Sequence, residues 1–499
     1  MSLPPSGADP RTLRFVLDGE VVSAAGLPAT TTVLEYLRNV AGRTGTKEGC
    51  AEGDCGACTV VVGELSPGAD AIRYRAVNSC IRFLPTLDGK ELVTVESLRA
   101  RDGALHPVQQ AMVDNHASQC GFCTPGFVMS LFSLYLNRSA TNRNEVVETL
   151  SGNLCRCTGY RPIIDAGLKM FDYAQPVRWN RDEAQSEEHL AKLRSIQRTA
   201  TDKPLQFSAF RAPRTLGELA AALEAAPYSL ILAGGTDVGL WITKHLRDLP
   251  PLVYIGDIAE LKQIRRNESE IWIGAGVSLT DAWPVLLEVF PELAEQAQRF
   301  ASPPIRNSAT LCGNIANGSP IGDSLPVLFA LGAAVDLRKG AKSRRVSLEQ
   351  FFLGYQKKDL ALGEFVVGVH VPARKPGSWL ASYKLSKRID QDISAVCATF
   401  SVTVEGGSVT DARLAFGGMA AVPARALNTE AALIGKPWSD ESVSAAMAAL
   451  GTDFRPLTDM RASSTYRLRT AGSLLLRFYI EHAEMPGAIR TADALASVS

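Results

Sequence analysis

The sequence is short of histidine, of net charge and of long apolar runs, and each shortage excludes a class of function. It contains six histidines in 499 residues. None of them pairs with another at metal-ligand spacing, so neither a histidine metal site nor an acid–base constellation for a substrate is indicated. Because 52 basic residues balance 52 acidic ones, the sequence lacks the basic excess of a dedicated nucleic-acid-binding protein.

The longest apolar stretches, FVMSLFSLYL and LPVLFALGAAV, are too short to cross a bilayer and predict buried core helices instead. The N-terminal stretch MSLPPSGADPRTLRF lacks the basic and apolar regions of a signal peptide. We therefore expect a soluble, cytoplasmic protein that makes no membrane contact. The C-terminal stretch AEMPGAIRTADALASVS is expected to be unstructured.

Cysteine, by contrast, is concentrated in one region, because eight of the ten cysteines lie between Cys50 and Cys157. Clustered thiols in a reducing compartment favour metal binding over disulfides. The first set follows the C-x4-C-x2-C…C spacing of plant-type 2Fe-2S ferredoxins, and it consists of Cys50, Cys55, Cys58 and Cys80. The interspersed glycines permit the tight, left-handed backbone with which a loop can present three thiolates. A structural zinc site is the alternative, although zinc sites usually pair two C-x2-C units.

The residues around the first set predict a small β-grasp domain. LRFVLDGEVV predicts a hairpin with its turn at Asp18-Gly19. TTVLEYLRNV predicts a helix, and the β-branched run CTVVVGEL predicts a strand that leaves the cysteine loop.

A second set has the spacing C-x2-C…C-x-C and consists of Cys120, Cys123, Cys155 and Cys157. Pro125 and the apolar periodicity after it predict a buried helix, and Asn142 with Glu145 predicts the cap of the next one. Because helix N-termini stabilise negative charge, we expect four helices around one buried cluster. This spacing, taken alone, is also compatible with zinc. The two remaining cysteines, Cys312 and Cys397, are interpreted as inert packing thiols.

The remaining two thirds contain a charged stretch and two glycine-rich loops. Residues 175–205 predict an interdomain linker. In YSLILAGGTDVGL a predicted strand breaks at 233–237 and resumes in VGLWITK, and its consecutive glycines expose backbone N–H groups that can bind phosphate. The Gly/Asn/Ser-rich stretch 308–333 suits close approach to a large ligand. A simple tight turn is the alternative for each loop, and the charged stretch 384–392 by itself predicts a solvated loop.

From about residue 12 to residue 485, the chain resembles the molybdenum hydroxylase family. The resemblance rests on EGCAEGDCGACTV, NSC, QCGFCTPG, SGNLCRCTGY, LAGGTDVG, ATLCGNIANGSPIGDSLPVLFALGA and SYKLSKRIDQDISAVCATFSVTV. It implies a multidomain α+β fold. The implied domains are a β-grasp 2Fe-2S ferredoxin-like domain at 10–90, a four-helix 2Fe-2S domain at 91–174, a linker at 175–205, a vanillyl-alcohol-oxidase-type FAD domain at 206–377, and a small α+β C-terminal domain of the CO dehydrogenase flavoprotein type at 378–485.

The resemblance also implies roles for individual residues. The first cysteine set would hold an outer cluster and the second an inner one, with Gln119 facing the molybdenum cofactor. The residues implied to wrap the FAD pyrophosphate are Ile231, Leu232, Ala233, Gly234, Gly235, Thr236, Asp237 and Val238. Those implied to make further FAD contacts are Thr310, Gly313, Asn314, Asp323 and Lys384, with Phe300 against the isoalloxazine ring. The stretch 387–392 would lie near the flavin, where NAD enters.

The family's molybdopterin domain is not recognisable in this sequence, so the resemblance implies that hydroxylation occurs on a partner subunit and that no catalytic residue for it lies in this chain. Electrons would run from the molybdenum cofactor through the inner cluster, the outer cluster and FAD to NAD+, within an α2β2 heterotetramer. Fusion of the iron–sulfur and flavin parts in this order favours xanthine or hypoxanthine as the substrate. An aldehyde or N-heterocycle dehydrogenase is the nearest alternative, and a zinc-binding scaffold or redox sensor is the non-enzymatic one.

Overall fold

The computed structural model describes residues 9–100, 102–199 and 201–483, which divide into two compact units. The first unit runs to Ala259 and also includes Ser302–Ala309, and the second comprises Glu260–Ala301 and the chain from Thr310 onward. Apart from its first residue, the tail expected to be unstructured lies outside these ranges. None of the helices within them combines the length and the apolar character needed to cross a membrane.

The first unit begins with a five-stranded sheet of order β2-β1-β5-β3-β4, in which β1 and β5 are parallel. Its elements are β1 Leu13–Leu17, β2 Glu20–Ala24, α1 Val33–Glu35 with a π-helical extension Tyr36–Val40, β3 Thr59–Leu65, β4 Ile72–Asn78 and β5 Glu91–Val93. Asp18 and Gly19 have φ of 56° and 82°, as a two-residue hairpin turn requires. The predicted hairpin, helix and strand are therefore confirmed.

Four helices follow the sheet: α2 Pro107–Asp114, α3 Thr124–Asn137, α4 Arg143–Leu150 and α5 Arg161–Lys169. Pro125 lies in the first turn of α3, and Phe127, Leu131 and Phe132 bury one face of that helix. Asn142 caps α4, because its Oδ1 accepts the N–H of Glu145 at 3.0 Å. Both helix predictions are confirmed.

The stretch predicted as a linker is folded against this core. It contains helix α6, Glu187–Ile196, whose Leu190, Leu193 and Ile196 are buried in the same cluster as α3. The fully buried Trp179 donates its indole N–H to the carbonyl of Ser97 at 3.0 Å. The apolar residues recur at helical spacing among charged ones, and their burial makes this stretch part of the core of the first unit.

The rest of the first unit is a four-stranded sheet of order β6-β7-β9-β8 with three helices. These elements are β6 Leu205–Phe207, β7 Phe210–Ala212, α7 Leu216–Ala225, β8 Leu230–Leu232, α8 Val238–Thr243, β9 Leu252–Tyr254 and, from later in the chain, α11 Pro303–Ser308. The prediction that a strand resumes at VGLWITK is wrong, because these residues form α8. Val238 and Ile242, one helical turn apart, pack against an apolar core to which both sheets of the first unit contribute, and this packing overrides their β-propensity.

The second unit contains an antiparallel sheet of order β10-β11-β16-β12-β13, a two-stranded sheet β14-β15, and a sheet of order β17-β18-β19-β20. Its first part comprises β10 Ile264–Arg266, β11 Glu270–Gly274, α9 Leu279–Val289, α10 Ala294–Arg299, α12 Leu311–Asn317, α13 Ser324–Ala330, β12 Ala334–Lys339, β13 Lys342–Ser347, α14 Leu348–Phe351, β14 Phe352–Gly354, β15 Lys357–Lys358 and β16 Phe365–Pro372. Its second part comprises β17 Ser378–Leu385, β18 Val396–Glu405, β19 Ser408–Gly417, β20 Ala424–Arg425, α15 Leu427–Leu433, α16 Asp440–Asp453 and α17 Ser464–His482. The mixture of helices and sheets confirms the multidomain α+β class.

A buried histidine joins the four-helix region to the folded linker. The Nδ1 of His106 accepts the N–H of Val108 at 3.2 Å and so caps α2, while its Nε2 lies 3.2 Å from the carbonyl of Trp179. The ring is therefore neutral, with the proton on Nε2, which donates to Trp179. Burial lowers the pKa of His106 to about 4.

This histidine predicts acid sensitivity of the first unit. The unfolded-state pKa is about 6.5, so between pH 6.5 and 4 the unfolded chain binds more protons and stability falls as the pH falls. The free energy of unfolding should fall by about 3 kcal/mol once the pH is below 4. His106→Asn keeps a capping side chain and should lose this part of the pH dependence of Tm. The exposed His116 supplies the control, since His116→Asn should follow the wild-type profile; an unchanged profile for His106→Asn would contradict the assignment.

Candidate functional site

The four thiols of the first set form two contacting pairs. The Sγ atoms of Cys58 and Cys80 lie 3.2 Å apart, and both side chains are buried. Cys50 and Cys55 contact each other through their backbone N–H groups, each of which donates to the other's sulfur at 3.3 Å. The thiol of Cys50 also contacts that of Cys80, so the structure brings the whole set together.

Backbone amides converge on the sulfur of Cys50. The N–H groups of Glu52 and Asp54 donate to it at 3.5 and 3.3 Å, which is possible because the loop turns through left-handed conformations at Ala51 and Gly53. The Cys55 thiol and then the Cys80 thiol lower the pKa of Cys50, with a further contribution from the backbone N–H groups of Cys55 and Glu52. The chain thus stabilises a thiolate at this position.

This donor set fits a cluster that takes four thiolates, two on each iron. The fit is visible at Gly49, where an added Cβ would lie 2.8 Å from the sulfur of Cys55 and fill the thiol cradle. No group of three or more His, Cys, Asp or Glu side chains within residues 9–100, 102–199 and 201–483 is arranged to hold a single metal ion. The thiols lie in pairs.

The second set also pairs, Cys120 with Cys157 and Cys123 with Cys155. Cys123 is the N-cap of α3, and burial together with the Cys155 thiol raises its pKa to about 12. The expectation of a buried cluster is wrong for this chain taken alone, because Cys120 and Cys157 are exposed. The thiols lie on the loops before α3 and between α4 and α5, where Cys123 and Cys155 pack against the helical core.

The two sets are adjacent. The N–H of Leu154, the residue before Cys155, donates to the carbonyl of Cys55 at 3.0 Å. Gly126, near the start of α3, approaches the backbone of Gly56 so closely that a Cβ on it would lie 2.1 Å from the Gly56 oxygen. The backbone therefore connects a ligand loop of one set directly to that of the other.

The glycine-rich loop 231–238 lies next to the first set in the same unit. A Cβ on Gly234 would lie 1.9 Å from the carbonyl oxygen of Ser308. Helix α8, which follows the loop, packs Gly239 against Ile81, the neighbour of Cys80. Its Thr243 donates a hydrogen bond to the carbonyl of Ala51 at 2.6 Å. The helix that follows the predicted phosphate-binding loop is thus fixed against the first thiol set beside Cys50 and beside Cys80.

Six of the predicted FAD contacts lie in the second unit, and two pairs of them are bonded to each other. The hydroxyl of Thr310 caps α12 by accepting the N–H of Gly313 at 2.9 Å. Asn314 accepts the hydroxyl of Ser324, the neighbour of Asp323, at 2.6 Å. Asp323 and Lys384 form a buried ion pair.

The ion pair is completed by Ser394, which accepts from Lys384 at 2.9 Å and donates to Asp323 at 2.7 Å. A buried carboxylate and ammonium satisfied in this way form a rigid polar group. Phe300 follows α10 and packs edge-on against Trp283, with ring centroids 6.3 Å apart.

Two further predicted positions are exposed. Gln119 lies in the loop before Cys120. Within the stretch 387–392 the first four residues are exposed, and the loop is held by bonds from Arg388 to Asp392 at 2.9 Å and to Gln391 at 3.0 Å.

Four family models match the chain in this order: a 2Fe-2S iron-sulfur cluster binding domain at residues 15–83 and a [2Fe-2S] binding domain at 94–168, then an FAD binding domain in molybdopterin dehydrogenase at 205–374 and a CO dehydrogenase flavoprotein C-terminal domain at 381–482. Together with the two thiol sets, they define an iron–sulfur flavoprotein.

The chain is 34% identical to a xanthine dehydrogenase of Emericella nidulans over 94% of its own length, and it spans 38% of that relative. It is similar to a chain of carbon monoxide dehydrogenase from Hydrogenophaga pseudoflava, with 32% identity, a TM-score of 0.51, and coverage of 55% of this chain and 96% of that one. It is also similar to a chain of quinoline 2-oxidoreductase from Pseudomonas putida 86, with 26% identity and a TM-score of 0.50. This similarity covers 56% of this chain and 98% of that one.

The chain belongs to the molybdenum hydroxylase family. It carries the two 2Fe-2S domains and the FAD-binding domain that serve electron transfer in these oxidoreductases. It spans a little over a third of the length of the curated relatives that it matches.

Proposed function

We propose that this chain is the iron–sulfur and FAD subunit of a xanthine dehydrogenase, which passes electrons from a molybdenum cofactor on a partner chain to NAD+. One observation carries the electron-transfer role: in the first unit, the second thiol set, the first thiol set and the glycine-rich loop adjoin one another in that order. Xanthine or hypoxanthine as the substrate is supported by curated relatives named xanthine dehydrogenase, among them that of Emericella nidulans, which matches 94% of this chain.

In this proposal the first cysteine set holds the outer cluster and the second set holds the inner one. When bound, 2Fe-2S clusters transfer single electrons, and FAD exchanges single electrons for a hydride pair. The chain supplies the paired thiolates, and it directs the amides of Glu52 and Asp54 at one sulfur. Such hydrogen bonds to cluster sulfurs set reduction potentials.

We propose FAD contacts in both compact units of the chain. In the first unit, residues 231–238 would bind the pyrophosphate through backbone N–H groups that follow a strand. In the second unit, the proposed contacts are Thr310, Gly313, Asn314, Asp323, Lys384 and Phe300. We likewise propose the domain boundaries given above, with 10–90 and 91–174 for the two iron–sulfur domains.

The exposure of the second thiol set supports a partner at that surface. Cys120, Cys157, Gln119 and Phe122 are all exposed, and a cluster held there would be open to solvent without a covering chain. We propose that the large molybdopterin-binding subunit covers it in a cytoplasmic α2β2 heterotetramer, in keeping with the preference of oligomers for closed symmetry.

The NAD half of the proposal predicts activity without the partner. Protein purified with iron and flavin should reduce an artificial dye with NADH. Charge reversal of Lys387 and Arg388 to glutamate should raise the KM for NADH by roughly tenfold, because a hydrogen bond to a charged group contributes about 1.5–3 kcal/mol. The exposed Lys436 and Arg455 provide the matched control, since their reversal should leave the KM unchanged. Fully loaded protein without NADH-dependent dye reduction would rule out NAD as the acceptor.

A second candidate is the equivalent part of another molybdenum hydroxylase, acting on an aldehyde or an N-heterocycle. The similarity to solved carbon monoxide dehydrogenase and quinoline 2-oxidoreductase chains favours it. Co-purification of the large partner, followed by a screen of the complex with xanthine, aldehydes and quinoline, separates the two candidates. Faster turnover of xanthine than of the aldehydes or quinoline supports a xanthine dehydrogenase. No turnover of xanthine supports another molybdenum hydroxylase.

A further inference from the structure

Asn153 lies between the two thiol sets and is almost completely buried. Its Nδ2 donates to the carbonyl of Gly56 at 3.2 Å, and its Oδ1 accepts the hydroxyl of Ser130 at 2.7 Å. Gly56 lies between Cys55 and Cys58 of the first set, whereas Ser130 lies on α3, the helix that Cys123 of the second set caps. One side chain thus bonds to a ligand loop of the first set and to the helix that supports the second.

The backbone segments around Asn153 are closely packed. A Cβ on Gly56 would lie 2.2 Å from the carbonyl oxygen of Gly152, and one on Gly126 would lie 2.1 Å from the oxygen of Gly56. Gly56 also has φ of 68°, which side-chain-bearing residues rarely adopt. The loops are therefore in backbone contact, and the Asn153 amide adds a side-chain hydrogen bond to the backbone bond from Leu154 to Cys55 that also crosses this contact.

We propose that Asn153 is a positioning residue that fixes the separation and orientation of the two thiol sets, and thereby the electronic interaction between the clusters they hold. The proposal rests on the proposed function, in that both sets carry clusters. The satisfied, buried amide is suited to this role, because breaking either bond leaves a buried polar group unpaired. Asn153 acts on the two sets through its bonds to Gly56 and Ser130.

Asn137 provides a matched control on the same helix. Its Nδ2 donates to the carbonyl of Tyr74 at 3.0 Å and so also ties α3 to the first sheet. It lies at the C-terminal end of α3, whereas both thiol sets meet at the N-terminal end. Removal of this amide should affect stability without moving the thiol loops.

The test compares Asn153→Ala, Ser130→Ala and Asn137→Ala in the full chain with iron and flavin bound. The readouts are iron content, Tm, and the splitting of the low-temperature electron paramagnetic resonance signals of the reduced clusters. We expect Asn153→Ala to keep both signals and lose or alter their mutual splitting, and Ser130→Ala to change it in the same direction. Asn137→Ala should lower Tm and leave the splitting as in the wild type.

Full iron with wild-type splitting in Asn153→Ala would overturn the proposal, because the amide would then be a structural bond only. If Asn153→Ala fails to load iron, Ser130→Ala replaces it in the test, and full iron with wild-type splitting in Ser130→Ala would then overturn the proposal. A splitting equally altered in Asn137→Ala would also overturn it. Wild-type protein without iron would instead contradict the proposed function, so the two failures are distinguishable.

Discussion

Serine in place of Cys58 is expected to remove half of the iron, from about four to about two per polypeptide, because each 2Fe-2S cluster holds two irons. Cys58 is buried beside Cys80, and the amide of Asn78 lies 3.8 Å from its sulfur. A serine hydroxyl is a harder and weaker ligand for the iron of such a cluster than the thiolate it replaces. The second thiol set retains its residues and should retain its cluster. Iron analysis and the visible spectrum of the purified variant measure the effect.

Cys397→Ser is the matched control, because Cys397 is equally buried but lies in β18, outside both sets. It should keep the full iron content and both clusters. The assignment of Cys58 would be wrong if its serine variant retained as much iron as the Cys397 variant.

Alanine in place of Gly234 is expected to produce protein that contains iron and little or no flavin. The added Cβ would lie 1.9 Å from the oxygen of Ser308 and 2.8 Å from the Cα of Ala309, so backbone must move. Overpacking of this kind costs about 1–3 kcal/mol, and each 1.4 kcal/mol corresponds to about a tenfold loss of affinity. The proposed pyrophosphate loop would be displaced, and the ratio of flavin to protein reports the result.

Gly217→Ala serves as the comparison. Gly217 lies in α7, where an added Cβ has only the Thr215 hydroxyl within reach, at 3.8 Å. The change should stabilise the helix by up to about 1 kcal/mol and leave the flavin content unchanged. Equal flavin in both variants would refute the role of the glycine loop.

The cysteine spacing predicts which thiols come together, since a C-x4-C-x2-C loop with glycines has few ways to fold. It does not predict that Cys120 and Cys157 are exposed, because exposure depends on where the helix ends lie in three dimensions. Local signals such as the Asp18-Gly19 turn and the Asn142 cap also predict structure correctly, because each is complete within a few residues.

Features that depend on distant contacts are not predictable in this way. Val238 and Ile242 favour a strand locally, whereas their packing against the core shared by the two sheets of the first unit makes this segment helix α8. Asn153 and Gly126 stand inside the recognised motifs SGNLCRCTGY and QCGFCTPG, yet only the structure shows that each reaches Gly56. Close glycine approaches of this kind leave no pattern in a single sequence.

The most direct test of the account is electron paramagnetic resonance of the full chain after chemical reduction, with iron and zinc measured on the same sample. Two sets of four thiols predict two distinct 2Fe-2S signals, each integrating to about one spin per polypeptide, and about four irons. Stoichiometric zinc in place of iron, or a single signal with about two irons, would contradict the claim that both thiol sets hold clusters.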